Sequence, residues 1–77
     1  MKNIETLVND GGNITVGALE PFECVASAAD DDMCFAMLVR REGETLGALL
    51  KRLDKAIGLA WSDDVFTDEV NGSIPHG

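Results

Sequence analysis

The stretch Thr45–Trp61, TLGALLKRLDKAIGLAW, decides the fold of this chain. Its large apolar residues recur at the i, i+3, i+4, i+7 spacing that places them on one face of an α-helix. Thr45 is a typical N-cap residue, and no proline interrupts the stretch. The pattern therefore predicts one long amphipathic helix over about residues 45–61, whose apolar face must pack against the rest of the chain.

The residues before this helix predict a β-hairpin. Two apolar runs, Phe22–Ala28 and Met33–Arg40, flank the short acidic connector Ala29–Asp32, and such a connector suits a hairpin loop. Several of these residues are alanines, which are poor strand formers. A helix over residues 22–29 that begins next to Pro21 is therefore an alternative that the sequence leaves open.

Weaker patterns flank these elements. Apolar residues within Ile4–Val8 have helical spacing, and Gly11 and Gly12 would end a short helix there. Ile14–Ala18 alternates apolar and small or polar residues, as a short strand does. Val65–Val70 is expected to be extended, and residues 72–77 are expected to form a flexible tail.

Together these elements predict a single α+β domain over residues 1–77. It would contain a small antiparallel sheet packed against the long helix, with a short N-terminal element. The expected core combines apolar residues of the hairpin and the helix: Val25, Phe35, Met37, Val39, Leu46, Leu49, Leu50, Leu53, Ile57 and Trp61.

Net charge limits the function more than any motif does. Fourteen Asp and Glu residues against six Lys and Arg residues give a formal net charge of −8. A nucleic-acid-binding protein needs a basic patch to neutralise phosphates, so this class is not expected. A hydrophobic fraction of 45% is too high for a disordered acidic tail. No apolar segment resembles a membrane span or a signal peptide, and a cytoplasmic location is expected.

The residue types that carry catalysis do not form a recognisable set. Cys24 and Cys34 match no zinc-binding spacing and are expected to be reduced and buried. The only histidine, His76, falls in the expected tail, and there is no nucleophile elbow or P-loop. We expect no enzymatic activity, no catalytic residues, no metal site and no cofactor.

Acidic clusters are the best candidates for partner binding. Folded carboxylates can imitate the field of DNA, which carries about one charge per 1.7 Å of duplex axis. They would then occupy a basic protein surface meant for nucleic acid, with fast, salt-sensitive association. The candidate partner-binding residues are Asp30, Asp31, Asp32, Asp63, Asp64, Asp68 and Glu69.

Three segments, Leu38–Leu46, Leu49–Ile57 and Phe66–Asn71, resemble small proteins of phages and prophages. In size, acidity and lack of a catalytic motif, the whole chain is similar to anti-CRISPR proteins. This resemblance implies an inhibitor that acts in the host bacterial cytoplasm and binds a Cas effector subunit to block target DNA. The basic residues between Arg40 and Lys55 depart from a uniformly acidic DNA mimic.

Two other functions remain open from the sequence. The protein could be a small homodimeric structural or regulatory protein, paired through the hairpin edge or through a stripe on the long helix. The residues of that stripe are Gly47, Lys51, Asp54 and Gly58. It could also sequester a nucleotide signal, with Arg40, Arg41 and Arg52 around the phosphates.

Overall fold

The computed structural model describes residues 1–71 of the chain, so the tail expected over residues 72–77 lies outside the described part. The elements follow one another as two helices and four strands. In chain order they are α1 (Lys2–Asn9), β1 (Asn13–Leu19), β2 (Phe22–Ala29), β3 (Cys34–Val39), α2 (Leu46–Asp63) and β4 (Thr67–Asp68).

The four strands form one sheet in the order β1-β2-β3-β4. Strands β1, β2 and β3 are antiparallel neighbours, which confirms the hairpin and excludes the alternative helix over residues 22–29. Strand β4 pairs with β3 in parallel. The α+β class is therefore confirmed, but the sheet is mixed and not wholly antiparallel. The reason is that α2 carries the chain back along β3, as a crossover between parallel strands must.

Helix α2 matches the long helix expected from the sequence. The Thr45 side chain accepts a hydrogen bond of 3.1 Å from the backbone N–H of Ala48, as an N-cap does. Leu49, Leu53 and Ile57 are completely buried against the sheet. The helix continues to Asp63, two residues beyond the predicted end at Trp61.

Alanines form the surface of the sheet on which α2 packs. Ala26, Ala28 and Ala36 are at most 1% exposed and belong to the same core cluster as the buried leucines of α2. A methyl side chain lets a helix approach a sheet closely, and this packing outweighs the low strand propensity of alanine. The residues that weakened the sequence prediction of a strand are therefore the ones that receive the helix.

A β-bulge brings an aromatic residue into the core. Ala28 pairs with Ala36 and Ala29 with Cys34, so Phe35 is the extra residue of β3. Adjacent strand residues normally face opposite sides of a sheet. Phe35, at 6% exposure, and its neighbour Ala36 nevertheless both belong to the core cluster. The bulge thus interrupts the strict alternation of the strand and turns Phe35 toward the helices.

The expected core is correct in its centre and wrong at its margins. Val25, Phe35, Leu49, Leu53 and Ile57 are buried, and Leu50 is partly buried against the core. The four other expected core residues have different positions: Leu46 is 49% exposed, Trp61 is 42% exposed, and Met37 and Val39 are only partly buried.

Lengths and strand alternation explain these differences. The 18 residues of α2 extend about 27 Å, whereas the six residues of β3 span only about 20 Å. Leu46 and Trp61 lie at the two ends of α2, where the sheet covers the helix only in part, although Trp61 still contacts Phe35 of β3. Met37 and Val39 alternate with Leu38, so they point to the face of the sheet opposite the helices.

Helix α1 docks on α2 through polar contacts at its first turn. The Asn3 Nδ2 atom donates to the backbone oxygen of Asp54 at 3.0 Å, and the Ile4 N–H donates to the Asp54 carboxylate at 2.9 Å. At Gly58, an added Cβ atom would lie 2.6 Å from Asn3 Nδ2. Gly58 thus allows the close approach of another helix, and that helix is α1 of the same chain.

We predict that the two glycines of α2 respond differently to alanine. Gly47→Ala should raise the free energy of unfolding by roughly 0.5 kcal/mol because alanine has the higher helix propensity and the nearest atom to an added Cβ, Thr45 Oγ1, is 4.0 Å away. Gly58→Ala should gain less or lose stability, because the Asn3 side chain would have to move. In an Asn3→Ala background, Gly58→Ala should recover the gain. Urea unfolding measures all four variants, and an equal gain at both glycines in the native background would contradict the close contact.

Candidate functional site

The topology gathers two of the three acidic segments at one end of the molecule. Because α2 runs back along β3, the end of α2 lies beside the start of β3. The edge-to-face contact of Trp61 with Phe35, with ring centroids 6.0 Å apart, fixes this arrangement. Asp63 and Asp64 therefore lie at the same end as the β2–β3 loop of residues 30–33. We call this region the acidic end: Asp10, Asp30, Asp31, Asp32, Asp63 and Asp64.

Asp10 joins the acidic end although sequence analysis did not select it. It follows α1 and precedes β1, whose first residue, Asn13, pairs with Ala29 beside the β2–β3 loop. No Lys or Arg occurs in the segments that build this end, which are residues 9–13, 29–35 and 60–67. The formal charge of the acidic end is therefore wholly negative.

The carboxylates of the acidic end have two roles. Asp30 closes its loop, since its Oδ1 atom accepts hydrogen bonds from the backbone N–H groups of Asp32 and Met33 at 2.8 and 2.9 Å. Asp31, Asp63 and Asp64 are exposed, and so is the side chain of Asp32. These four carboxylates face solvent and are available to a partner.

Exposed apolar side chains lie among these carboxylates. Met33, Trp61, Val65 and Phe66 are 45%, 42%, 47% and 42% exposed, and each belongs to the loop or chain segments of the acidic end. Large apolar groups inside a charged rim are typical of protein interaction surfaces. The sequence did not predict these exposed apolar side chains, because its helical pattern placed Trp61 in the core. The acidic pair that follows the helix was also predicted as a site without the neighbouring Val65 and Phe66.

Asp68 and Glu69 do not belong to the acidic end. Asp68 pairs with Met37 in the middle of β3. Its carboxylate accepts hydrogen bonds from the backbone and side chain of Asn71 and from the backbone of Val70, and the Asn71 bonds hold the pKa of Asp68 below its usual range. Glu69 accepts from the Val39 N–H at 2.9 Å. Both side chains bind their own chain.

Arg52 joins three elements through one guanidinium group. It donates to both carboxylate oxygens of Glu44 at 2.7 and 2.9 Å, to the Val39 carbonyl at 3.0 Å, and to Glu69 at 3.3 Å. The Arg52 hydrogen bond lowers the pKa of Glu44 to about 2, and Glu44 in turn raises the pKa of Arg52. The bidentate pair attaches α2 to the loop that precedes it, and the bonds to Val39 and Glu69 attach α2 to the end of β3 and to the residue after β4.

The end opposite the acidic end contains an open groove of about 860 Å³, lined by residues 21–24 and 39–45. Arg40 and Arg41 lie there, and the Arg40 Nε atom donates to the Glu44 carbonyl at 2.7 Å. Arg52 is engaged by Glu44, Glu69 and Val39 and does not line the groove. The structure therefore does not bring the three arginines of the nucleotide hypothesis together as free phosphate ligands.

The two surfaces considered for self-association are partly occupied. Asp54 and Gly58 contact α1, whereas Gly47 and Lys51 are exposed. Strand β2 lies between β1 and β3, and β4 pairs with only Ala36 and Met37 of β3, so the outer edge of the hairpin is partly covered. Pairing of two copies through the hairpin edge stays a prediction.

Residues 1–71 also contain two cysteines and several acidic side chains that could form a thiol or metal site. Both cysteines are free, and Cys34 is exposed, so the expectation of buried thiols is wrong for Cys34. The thiol itself is partly buried, and the loss of solvation raises the pKa of Cys34. Within this part of the chain, no group of three or more acidic, cysteine or histidine side chains is placed to hold a metal ion. Neither described helix has the length and apolar character needed to cross a membrane.

No protein-family model, curated protein or solved structure matches this chain. The function is therefore argued from the chemistry of its surfaces.

We predict that the Arg52–Glu44 pair gives the protein an acid-dependent stability. The folded pKa of Glu44, about 2, lies below its ordinary value of 4.5. Ionised Glu44 therefore contributes stability above about pH 4.5 that is lost as the pH falls toward 2. The difference in unfolding free energy between the wild type and Glu44→Gln should shrink over this range.

Denaturant unfolding at a series of pH values measures this difference. Glu42→Gln is the matched control, because it removes the same charge from the same loop and leaves the Arg52 contacts in place. It should retain the acid transition that depends on Glu44. A constant difference between wild type and Glu44→Gln from neutral pH to the acid limit would show that the pair does not stabilise the fold.

Proposed function

We propose that this protein inhibits a bacterial defence complex of the CRISPR–Cas type. The acidic end would bind a basic surface of an effector subunit that otherwise holds nucleic acid, and target DNA would be blocked. The observation that carries this proposal is the convergence of Asp31, Asp32, Asp63 and Asp64 at one end that contains no Lys or Arg.

Electrostatics supports this function in two ways. The exposed carboxylates present several negative charges at one end, as a phosphate backbone does along its length. A net charge of −8 also attracts a basic groove from a distance and speeds association. The three arginines of the chain do not oppose this, because Arg40 and Arg41 lie at the other end and Arg52 is paired with Glu44.

Apolar contacts would supply the part of the affinity that charge does not. Surface charges bound in water contribute little free energy each, and salt screens them. Trp61, Phe66 and Met33 are exposed at the acidic end, and aromatic anchors carry much of the binding energy of protein interfaces. A partner would therefore need a basic surface that surrounds an apolar depression.

We predict that the position of the charges matters more than their number. The variant Asp31→Asn, Asp32→Asn, Asp63→Asn, Asp64→Asn should lose binding to its effector and lose inhibition of DNA cleavage. The control Glu5→Gln, Glu20→Gln, Glu23→Gln, Glu42→Gln removes the same number of charges from exposed sites elsewhere and should retain both.

Pull-down from lysates that contain CRISPR effector complexes, followed by DNA cleavage assays with the captured complex, compares the two variants. Capture of a basic nucleoprotein subunit that a high-salt wash releases is the expected result. Failure of every effector complex to bind, or equal binding by the two quadruple variants, would contradict the proposal.

We predict a separate role for Phe66 as an apolar anchor. Phe66→Ala should weaken binding about tenfold, equal to about 1.4 kcal/mol, and the loss should persist at high salt. Leu46→Ala removes a side chain of similar exposure from the opposite end of α2 and should have no such effect. Isothermal titration at two salt concentrations makes the measurement, and a loss that vanishes at high salt would show that the contact is not apolar.

A further inference from the structure

Strand β1 is the long open edge of the sheet. It pairs with β2 on one side, and within residues 1–71 no strand pairs with its other side. Six of its seven residues are exposed; Ile14 alone is partly buried. The opposite edge is the two-residue strand β4, which offers little backbone for pairing. An edge strand of this length leaves a row of backbone N–H and C=O groups that can pair with another strand.

The sequence of β1 contains none of the features that usually prevent edge pairing. The residues Asn13–Leu19, NITVGAL, include no proline and no charged side chain, although charged residues make up 26% of the chain. Lysine, proline and inward-pointing charges are the usual protection of edge strands. The bulge near the end of β1 follows Gly17, so the register of residues 13–17 with β2 is regular.

We propose that β1 pairs with β1 of a second copy, antiparallel about a two-fold axis at Val16, to form a continuous eight-stranded sheet. A two-fold axis perpendicular to the sheet keeps the helices of both copies on one side. With the axis at the middle of β1, Val16 faces Val16 of the second copy and Ile14 faces Ala18. Val16 is 41% exposed, so this pairing would cover an apolar side chain that its own chain leaves open.

Charge favours the antiparallel orientation of the second copy over the parallel one. Antiparallel pairing sends the two acidic ends to opposite poles of the dimer, whereas parallel pairing would place them side by side. The contact itself is uncharged, so it brings no like charges into direct opposition. One strand pair covers less area than a standard interface of about 1,600 Å², so we expect a weak, concentration-dependent dimer. Because each copy carries −8, dimerisation should strengthen with added salt, as repulsion is screened.

Charge-swap complementation at Val16 tests this pairing. Sedimentation of the full chain should show a dimer that grows with concentration and salt. Val16→Lys and Val16→Glu should each weaken the dimer at least about tenfold, because like charges then face each other. An equimolar mixture of the two variants should restore a dimer, since Lys and Glu then form opposite pairs; this restoration also shows that both variants are folded.

Val65 supplies the matched control, because it is also an exposed valine, at 47%, and lies away from β1. Val65→Lys and Val65→Glu should leave the wild-type dimer in place. A chain that stays monomeric at the highest concentration and salt, or a dimer that both Val16 variants leave intact, would overturn the proposal. Failure of the mixture to restore the dimer would also overturn pairing centred on Val16.

Discussion

The packing of the apolar stripe of α2 on an alanine-lined sheet determines the rest of the structure. Leu49, Leu53 and Ile57 are completely buried, and Ala26 and Ala28 on β2 lie beneath them without exposure. Close helix–sheet packing of this kind is the main source of stability that a chain of 77 residues has. It also fixes the direction of α2 along β3, and that direction decides which loops meet at each end of the molecule.

Charge separation follows from the direction of α2. In the first half of α2, Arg52 is held by Glu44 and Glu69, so this one cation is paired within its own chain. At the end of α2, Asp63 and Asp64 join the β2–β3 loop, where no cation is available. The protein therefore has one end where an arginine is paired with carboxylates of its own chain, and another end where the carboxylates face solvent or a partner.

Coverage of the sheet by the helices is also uneven, and this has a consequence for assembly. The buried residues of α2 pack with β2 and β3 in the core cluster, whereas most of β1 remains exposed. The two proposed surfaces, the acidic end and the outer edge of β1, adjoin at Asn13, and binding at them should respond to salt in opposite ways. A two-fold pair of chains would present its acidic ends at opposite poles, so one dimer could bind two basic partners at once.

The sequence by itself determined the long helix and the net negative charge, and it favoured the hairpin without excluding a helix over residues 22–29. These features depend on local periodicity and composition, which need no knowledge of the rest of the chain. It also predicted an acidic binding surface, but it grouped Asp68 and Glu69 with residues from which the fold separates them. The Asp68 carboxylate binds Val70 and Asn71 within its own turn, whereas the Glu69 carboxylate binds Val39 and Arg52, which are distant in sequence.

Only the tertiary structure decided the parallel pairing of β4, the bulge at Phe35, and the exposure of Trp61 and Leu46. Each depends on the relative lengths and positions of elements that are distant along the chain. The same holds for Gly58, whose close neighbour Asn3 comes from the other helix. Periodicity can tell which face of a helix is apolar, but only the extent of the opposing sheet tells how much of that face is covered.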